Sequence, residues 1–340
     1  MARRILLLIA ALSLAVFTAS AAKPRKIVIE PLGMKYADST RTERPTSKDP
    51  TVIRIGDEYY MYHTVFGFSK DKLPAGYEPS RTGIHSGIAR SKDLIHWENL
   101  GDLDLRDSKG NPIGRCVAPC VKVFDGVIHM FYQRRWEKAD NNNSCIWHAV
   151  SKDGITFTNT CDEPVIVPKT KWSLMRAIDA EVYRVGKKMI LMFATRDPQN
   201  KVQMLGMAEA PYGSDYGPDK WKMLTTDAPF MKPDFEWEGH CIEAPTVIKE
   251  KGIWYLFYAG SYNHERQQIG ACWSSDGRHF KRIEPEGLVF PHGPKGSWDE
   301  WERGHPGVFR DDDGQVYLFF QGKATRKGNY WLSVARVTFE

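Results

Sequence analysis

Short apolar segments rich in Val, Ile, Tyr and Phe alternate with polar turns along most of this chain, and the arrangement occurs five times. Each copy has a short extended segment, a turn and a run of aromatic and aliphatic residues, which is the pattern of paired β-strands. The copies begin at Asp49, Ala118, Asp179, Ala244 and His305. A spacing of roughly 60 to 70 residues is typical of sheets repeated around an axis. The sequence therefore predicts an all-β fold, a five-bladed β-propeller.

The fifth copy has residues for only three strands before the sequence given ends. Residues 26–29 form a short β-prone segment that belongs to none of the copies. If this segment pairs with the outer edge of the fifth blade, it covers an exposed strand edge and closes the ring. We expect the fifth blade to be completed in this way.

Residues 1–22 combine two arginines, an apolar run and a small-residue pattern of the kind that signal peptidase cleaves. A single membrane anchor is the alternative, but the apolar run is shorter than the roughly 20 residues that a spanning helix needs. We therefore expect a signal peptide over residues 1–22 and a periplasmic or extracellular protein without a membrane span. No linker interrupts the repeats, so residues 23–340 are predicted to form a single domain.

Charge and cysteine content exclude some function classes. A formal net charge of +5 is too small to indicate a nucleic-acid partner. The six cysteines include no CxxC pair and the histidines no pair at zinc spacing, so we predict no metal cluster. Cys145 and Cys161 flank a predicted turn and would face each other in a hairpin. A disulfide and two buried free thiols are both open for this pair.

Ionisable residues stand where the innermost strands begin. In a propeller these strands all run in the same direction, so Asp49, Asp179, Glu243 and His305 should meet at one mouth of the axis. Each alone is explained by a solvated strand entry or a packed histidine. Together they are electrostatically unfavourable, because like charges repel one another when they are grouped. The repulsion raises the pKa of at least one carboxyl group, as a general acid requires. One ionised and one protonated carboxyl group are the machinery of glycosidic bond hydrolysis.

The segments that open the blades resemble those of the glycoside hydrolase family 43 group of five-bladed propellers. The segments are Lys48-Asp49-Pro50, Val117-Ala118-Pro119, Ile178-Asp179-Ala180, Glu243-Ala244-Pro245 and Gly304-His305-Pro306. Nearly all of residues 23–340 is covered by the resemblance, which implies a catalytic propeller. Ala244 in place of the usual Gly, and Arg176 three residues before Asp179, depart from the family pattern and concern the subfamily and substrate.

The resemblance also implies roles for these residues. Asp49 would be the general base that activates water, Glu243 the general acid, and Asp179 the group that orients Glu243 and tunes its pKa. His305 would lie at the cavity floor, in some members next to a calcium ion. No cofactor is required, although a structural calcium near His305 is an expectation.

Aromatic and planar polar side chains after the second strands are candidates for binding sugar, because sugar C–H faces stack on rings and hydroxyls take paired hydrogen bonds. For each of them a structural role is an equal alternative. The substrate-binding candidates of this kind are His63, Arg134, Trp136, Arg196, Tyr262 and Gln321, and His305 at the start of the fifth copy is a further candidate. The insertion at residues 67–82 is long for a blade loop and would wall the pocket, which favours release of terminal sugars.

The leading hypothesis is an exported, inverting, exo-acting glycosidase. Its substrate would be an oligosaccharide or polysaccharide of plant or algal origin, with arabinofuranose, xylose or galactose as the terminal sugar. A phosphorylase of the same architecture is the alternative among enzymes, since it needs cations beside the acid, and the chain offers Arg134, Arg135, Arg176 and Arg196. A noncatalytic glycan-binding propeller is the alternative from another class.

Overall fold

The structure is a computed structural model that describes residues 23–41, 45–66, 83–139 and 143–340. Its strands form five separate sheets, which confirms the predicted five-bladed propeller. The strands up to the end of the second blade are β1 (Ile27–Pro31), β2 (Lys48–Ile55), β3 (Glu58–Phe66), β4 (Ile84–Ser91), β5 (Glu98–Asp102), β6 (Asp104–Arg106), β7 (Val117–Phe124), β8 (Val127–Arg135), β9 (Ser144–Ser151) and β10 (Thr156–Asn159).

Blades 3 to 5 follow in the second half of the chain. Their strands are β11 (Ile178–Val185), β12 (Lys188–Arg196), β13 (Gln203–Pro211), β14 (Lys222–Met223), β15 (Ile242–Glu250), β16 (Ile253–Gly260), β17 (Gln268–Ser274), β18 (Lys281–Arg282), β19 (Leu288–Phe290), β20 (Glu302–Arg310), β21 (Val316–Lys323) and β22 (Trp331–Phe339). Two single-turn 3₁₀ helices span Pro218–Lys220 and Glu236–Glu238. Within the described ranges, no helix has the length and apolar character of a membrane span.

Each blade is a meander of antiparallel strands that begins on the propeller axis. Blades 1 to 5 begin with β2, β7, β11, β15 and β20. Two-residue turns join the first two strands of blades 1 to 4. In blade 2 the turn has φ of 50° at Asp125 and 79° at Gly126, and in blade 4 it has φ of 45° at Lys251 and 87° at Gly252. Positive φ at both central positions matches the twist of the flanking strands, which keeps the hairpins tight.

The N-terminal strand completes blade 5. Strand β1 pairs antiparallel with β22, with Val28 opposite Thr338. The backbone N–H of Arg25 also donates to the hydroxyl of Tyr255 in blade 4, at 2.8 Å. The predicted closure of the ring by the N-terminal segment is therefore confirmed.

The hydrophobic core lies between neighbouring blades. Five clusters of buried side chains each draw on two adjacent blades, so every sheet is covered on both faces by its neighbours. The cluster between blades 1 and 2, for example, contains Tyr62, Val121 and Met130, all completely buried. This packing holds the innermost strands at a fixed distance from one another around the axis.

The innermost hairpin of every blade contains a β-bulge at the same place. The bulged residues have left-handed φ values of 52° at Asp49, 45° at Ala118, 51° at Asp179, 49° at Ala244 and 44° at His305. This conformation is uncommon for residues other than glycine, and bulges of this kind redirect side chains beside functional sites. All five bulged residues line the same axial pocket.

Two other expectations concern the cysteine pair and two segments of the chain. All six cysteines are free thiols, with Cys145 buried and Cys161 partly exposed, so the free-thiol alternative describes this pair. Residues 1–22 and 67–82, which carry the predicted signal peptide and the pocket-walling insertion, lie outside the described residues.

Candidate active site at the axial mouth

Four ionisable side chains meet where the innermost strands begin, and we call them the axial cluster. Asp49, Asp179 and His305 occupy the bulged positions of blades 1, 3 and 5. Glu243 stands one residue before the bulged Ala244 of blade 4. Asp179, Glu243 and His305 are buried, and only 12% of the Asp49 side chain is exposed. The structure thus brings together the four residues that the sequence placed at one mouth.

A single imidazole ring bridges two of the carboxylates. Nδ1 of His305 lies 2.7 Å from Oδ1 of Asp49, and Nε2 lies 2.9 Å from Oε1 of Glu243. Both ring nitrogens can donate to carboxylates only when the imidazole is protonated. Burial lowers the pKa of His305, but the charges of Asp49 and Glu243 outweigh burial and raise it well above its usual value. The ring therefore lies between the two carboxylates, in ion-pair contact with one oxygen of Asp49 and hydrogen-bonded to one oxygen of Glu243.

Cations keep Asp49 and Glu243 ionised although Glu243 is buried and Asp49 is nearly so. Burial by itself would raise the pKa of Asp49, but Lys48 and then His305 hold it below its usual range. Burial also opposes ionisation of Glu243, yet His305, Lys48 and the amide of Gln267 lower its pKa to about 2. The two carboxylates on either side of the imidazole are therefore both charged.

Asp179 has the opposite protonation behaviour. Burial is the main cause that raises its pKa to about 7, and Glu243 and Asp49 add to the effect while His305 opposes it. Within the described part of the chain its Oδ2 has no hydrogen-bond partner. The elevated pKa expected for a general acid thus belongs to Asp179 in this structure, because the imidazolium is bonded to Glu243.

Side chains on the second strands tie neighbouring blades together at the bulges. Each of these side chains belongs to a residue that pairs, across the hairpin, with the residue before the bulge of its own blade. The side chain accepts a hydrogen bond from the backbone N–H of the bulged residue in the next blade. The three bonds join Ala118 N–H to Thr64 Oγ1 at 2.8 Å, Asp179 N–H to Gln133 Oε1 at 3.1 Å, and Asp49 N–H to Gln321 Oε1 at 3.2 Å. These bonds satisfy backbone donors that the bulges remove from the sheet, and they set the positions of both aspartates.

Two side-chain amides hold Glu243 from different sides. Nε2 of Gln267 donates to Oε1 of Glu243 at 2.7 Å, and Nε2 of Gln203 donates to Oε2. The side-chain amide oxygen Oε1 of Gln203 in turn accepts hydrogen bonds from Arg176 at 3.0 Å and from Arg196 at 3.1 Å. The orientation of the Glu243 carboxylate is therefore determined by a network of planar groups rather than by solvent.

Three predicted substrate-binding residues lie beside the axial cluster. Gln321 bonds to the backbone of Asp49, and Arg196 reaches Glu243 through Gln203. The ring of Tyr262 lies under Arg196, with 5.2 Å from the guanidinium carbon to the ring centroid.

Three others lie elsewhere. His63 is completely buried, edge-on to Tyr36 with 5.4 Å between ring centroids, so it offers no exposed surface to a sugar. Arg134 lies over the ring of Trp147 at 5.2 Å, and Trp136 follows strand β8 on blade 2. Among the contacts of the described residues, neither Arg134 nor Trp136 bonds to the axial cluster. Their role in binding substrate stays a prediction.

The sequence interpretation did not include Lys48, Gln203 or Gln267 among the site residues. Lys48 directly precedes Asp49, so it was inside a recognised segment. Gln203 opens β13, and Gln267 directly precedes β17. The third strand of a blade runs in the same direction as the first, so its beginning also faces the mouth. That topological rule was the signal available for both glutamines.

The residues around His305 do not fit a calcium site. Asp179, Glu243 and His305 offer ligand atoms within 4.8 Å of one another. Calcium takes roughly six to eight oxygen ligands, whereas His305 offers only nitrogen atoms, and both are bonded to carboxylates. The described side chains therefore give no support to the calcium ion expected near His305, and the proposed reaction uses no metal ion.

Comparison with known proteins gives a family match over most of the chain. Residues 44–339 match the family model described as Glycosyl hydrolases family 43. A thermostable family-43 glycoside hydrolase of known crystal structure superposes with a TM-score of 0.65 at 18% identity, covering 90% of this chain and 93% of that one. At this identity, the structural likeness shows the fold.

Two curated relatives match parts of the chain. A xylan 1,3-β-xylosidase from Vibrio sp is 23% identical over 284 residues, which is 79% of this chain and 46% of the relative. An insoluble isoenzyme of β-fructofuranosidase from Arabidopsis thaliana is 26% identical over 181 residues, which is 52% of this chain and 30% of the relative. The chain thus spans less than half the length of the curated relatives it matches.

Proposed function

The chain belongs to the glycosyl hydrolases of family 43, and we propose that it hydrolyses glycosidic bonds with inversion, with Asp49 as general base and Glu243 as general acid. The observation that carries this proposal is the pair of carboxylates held on either side of His305. In inverting glycosidases the two carboxyl groups are roughly 6.5 to 9.5 Å apart, and a pair separated by an imidazole ring fits this spacing better than the roughly 5 Å of retaining enzymes.

In the proposed reaction a water molecule lies against Asp49 and attacks the anomeric carbon from the face opposite the leaving group. Asp49 accepts a proton from this water as the new C–O bond forms. Glu243 donates a proton to the glycosidic oxygen as the old C–O bond breaks, so the leaving group departs as an alcohol. Because Asp49 is ionised in the structure, it is ready to accept a proton.

Glu243 must gain a proton before the leaving group departs. Asp179 has a carboxyl pKa of about 7, and an oxygen of its carboxyl lies within 4.8 Å of ligand atoms of both Glu243 and His305. We propose that Asp179 holds a proton of the cluster at neutral pH and that Glu243 takes this proton when substrate excludes water from the mouth. The three acidic groups then titrate together, so a pH profile reports the cluster rather than one residue.

The substrate we propose is a terminal arabinofuranose, xylose or galactose on an oligosaccharide or polysaccharide of plant or algal origin. The β-xylosidase and β-fructofuranosidase names of the relatives support a small sugar at a chain end. The insertion at residues 67–82, between β3 and β4, supports a walled pocket and exo-action. The leader-like residues 1–22 support export to the periplasm or the cell exterior, which N-terminal sequencing of the mature protein would test.

The decisive experiment is a screen of residues 23–340 against 4-nitrophenyl glycosides and plant oligosaccharides, in buffers with and without inorganic phosphate. We expect release of single sugars without phosphate, and proton NMR should show the inverted anomer first. A retained anomer contradicts the roles of Asp49 and Glu243. Turnover only with phosphate indicates a phosphorylase, and binding without any turnover indicates a noncatalytic glycan-binding propeller.

A further inference from the structure

Two arginine side chains converge on one amide oxygen beside the axial cluster. Arg176 lies just before β11 and Arg196 ends β12, both in blade 3. Nη1 of Arg176 and Nε of Arg196 donate to Oε1 of Gln203, at 3.0 Å and 3.1 Å. Both arginines are partly exposed at the mouth. One uncharged amide oxygen therefore accepts hydrogen bonds from two positively charged side chains.

The charges of this arginine pair are not balanced by a direct partner. In the part of the chain that the structure describes, no carboxylate forms an ion pair with either guanidinium. Burial lowers the pKa of Arg176 and so does the charge of Arg196, while the charges of Asp179 and Glu243 act in the opposite direction. Because no carboxylate of the described residues pairs with them directly, the two guanidiniums can bind an anionic ligand.

The arginine pair is held in place before any ligand binds. Nη1 of Arg196 donates to Oδ1 of Asn200 at 3.1 Å, and its guanidinium lies over the ring of Tyr262. The hydroxyl of Tyr262 donates to the backbone carbonyl of Lys201 at 3.1 Å. Guanidinium groups fixed in this way bind carboxylates with little loss of side-chain entropy.

The position of the arginine pair relative to Glu243 indicates which part of the substrate it faces. Gln203 links the pair to Oε2 of Glu243, whereas His305 and Asp49 lie on the side of Oε1. In an inverting reaction the leaving group departs beside the acid and the nucleophile enters beside the base. An anion bound to the arginines is therefore part of the leaving group. A phosphate nucleophile would have to bind on the side of Asp49.

We propose that Arg176 and Arg196 bind the carboxylate of an acidic sugar in the leaving-group subsite, so that the enzyme removes a neutral terminal sugar from a uronic acid in the chain. This inference rests on the proposed hydrolase function and names the class of its aglycone. The planar carboxylate of a uronic acid can take paired hydrogen bonds from the free N–H groups of both guanidiniums.

Kinetics with matched leaving groups test the proposal. For each sugar that the screen identifies, the 4-carboxyphenyl glycoside is compared with the 4-carbamoylphenyl glycoside, which has the same shape without the charge. We expect kcat/KM to favour the carboxylate by about tenfold or more. The preference should fall to near unity in Arg176→Gln and Arg196→Gln. The matched control is Arg184→Gln in the same blade, where the side chain bonds to the carbonyl of Gly186 and the preference should persist.

Binding measurements separate this inference from the hydrolase proposal. Calorimetry with wild-type protein should detect sodium galacturonate or glucuronate but not galactose or glucose, at constant ionic strength. The binding should be lost in Arg176→Gln and weakened in Arg196→Lys, which keeps the charge and the fold but not the planar fork.

If no glycoside is cleaved, the hydrolase proposal fails and calorimetry alone decides the carboxylate site. Equal cleavage of the two aryl glycosides, or no uronate binding, overturns the inference. Turnover that depends on phosphate and on both arginines would assign the pair to the nucleophile instead.

Discussion

Nε2 of His305 lies 2.9 Å from Oε1 of Glu243, so a histidine holds the proposed general acid in place. The contact stabilises the carboxylate form of Glu243, and burial of the pair makes the interaction strong. The same imidazole also bonds to Asp49 through Nδ1. One ring thereby sets the distance between the proposed acid and base, and the site must supply Glu243 with a proton from a third group.

Asp49→Asn should reduce kcat by roughly 100-fold to 10,000-fold on every substrate, because the amide cannot accept the proton of water. The shape of the pocket changes little, so substrate binding should survive, as measured by calorimetry with the inactive protein. Asp57→Asn is the control, since Asp57 is an exposed residue in the turn of the same hairpin. Activity of Asp49→Asn within about tenfold of wild type would show that another residue is the base.

Glu243→Gln should impair natural oligosaccharides far more than activated substrates. A general acid matters most when the leaving group is a poor one, and a nitrophenolate or fluoride departs without a full proton transfer. We expect a loss of roughly 100-fold or more on oligosaccharides and less than about tenfold on 2,4-dinitrophenyl glycosides. Equal losses on both substrate types would remove Glu243 from the acid role.

Removal of residues 23–32 should lower the melting temperature. The deletion leaves the edge of β22 without its partner β1 and breaks the bond from Arg25 to Tyr255. A loss of a few kcal/mol corresponds to a decrease of roughly 5 °C or more in a domain of this size. Calorimetry of residues 23–340 and 33–340 makes the comparison. Identical melting temperatures would mean that the ring is stable without the fourth strand of blade 5.

The repeat pattern was sufficient to predict the fold and the place where the axial residues meet. Strand period, turn residues and the spacing of the copies are local properties, and together they determined the blades and even the pairing of the N-terminal segment. The left-handed φ of Asp49, Asp179 and His305 was not predictable, because a bulge depends on the register between two strands and not on the residue that adopts it.

The interactions within the site were harder to predict than the identity of the residues that form it. Gln203 and Gln267 come from the beginnings of third strands, and nothing in their local sequence distinguishes them from surface glutamines. The elevated pKa was expected on Glu243 and the structure places it on Asp179. That outcome depends on which carboxylates His305 contacts. A sequence motif identifies the residues but does not determine the distances between their side chains.

Asp179→Asn should shift the alkaline limb of the pH profile of kcat/KM to lower pH. In wild type the limb should lie near pH 7, because burial raises the pKa of Asp179 to about 7 and the active form needs the cluster proton that is lost above that value. The substitution removes the carboxyl group that holds the cluster proton, so Glu243, whose own pKa is about 2, must take its proton from solvent and loses it at lower pH. The profile is measured on a natural oligosaccharide, where proton donation limits the rate, with Asp57→Asn as the variant that should keep the wild-type limb. An unchanged limb in Asp179→Asn would leave Asp179 as a strand-entry residue without influence on the acid.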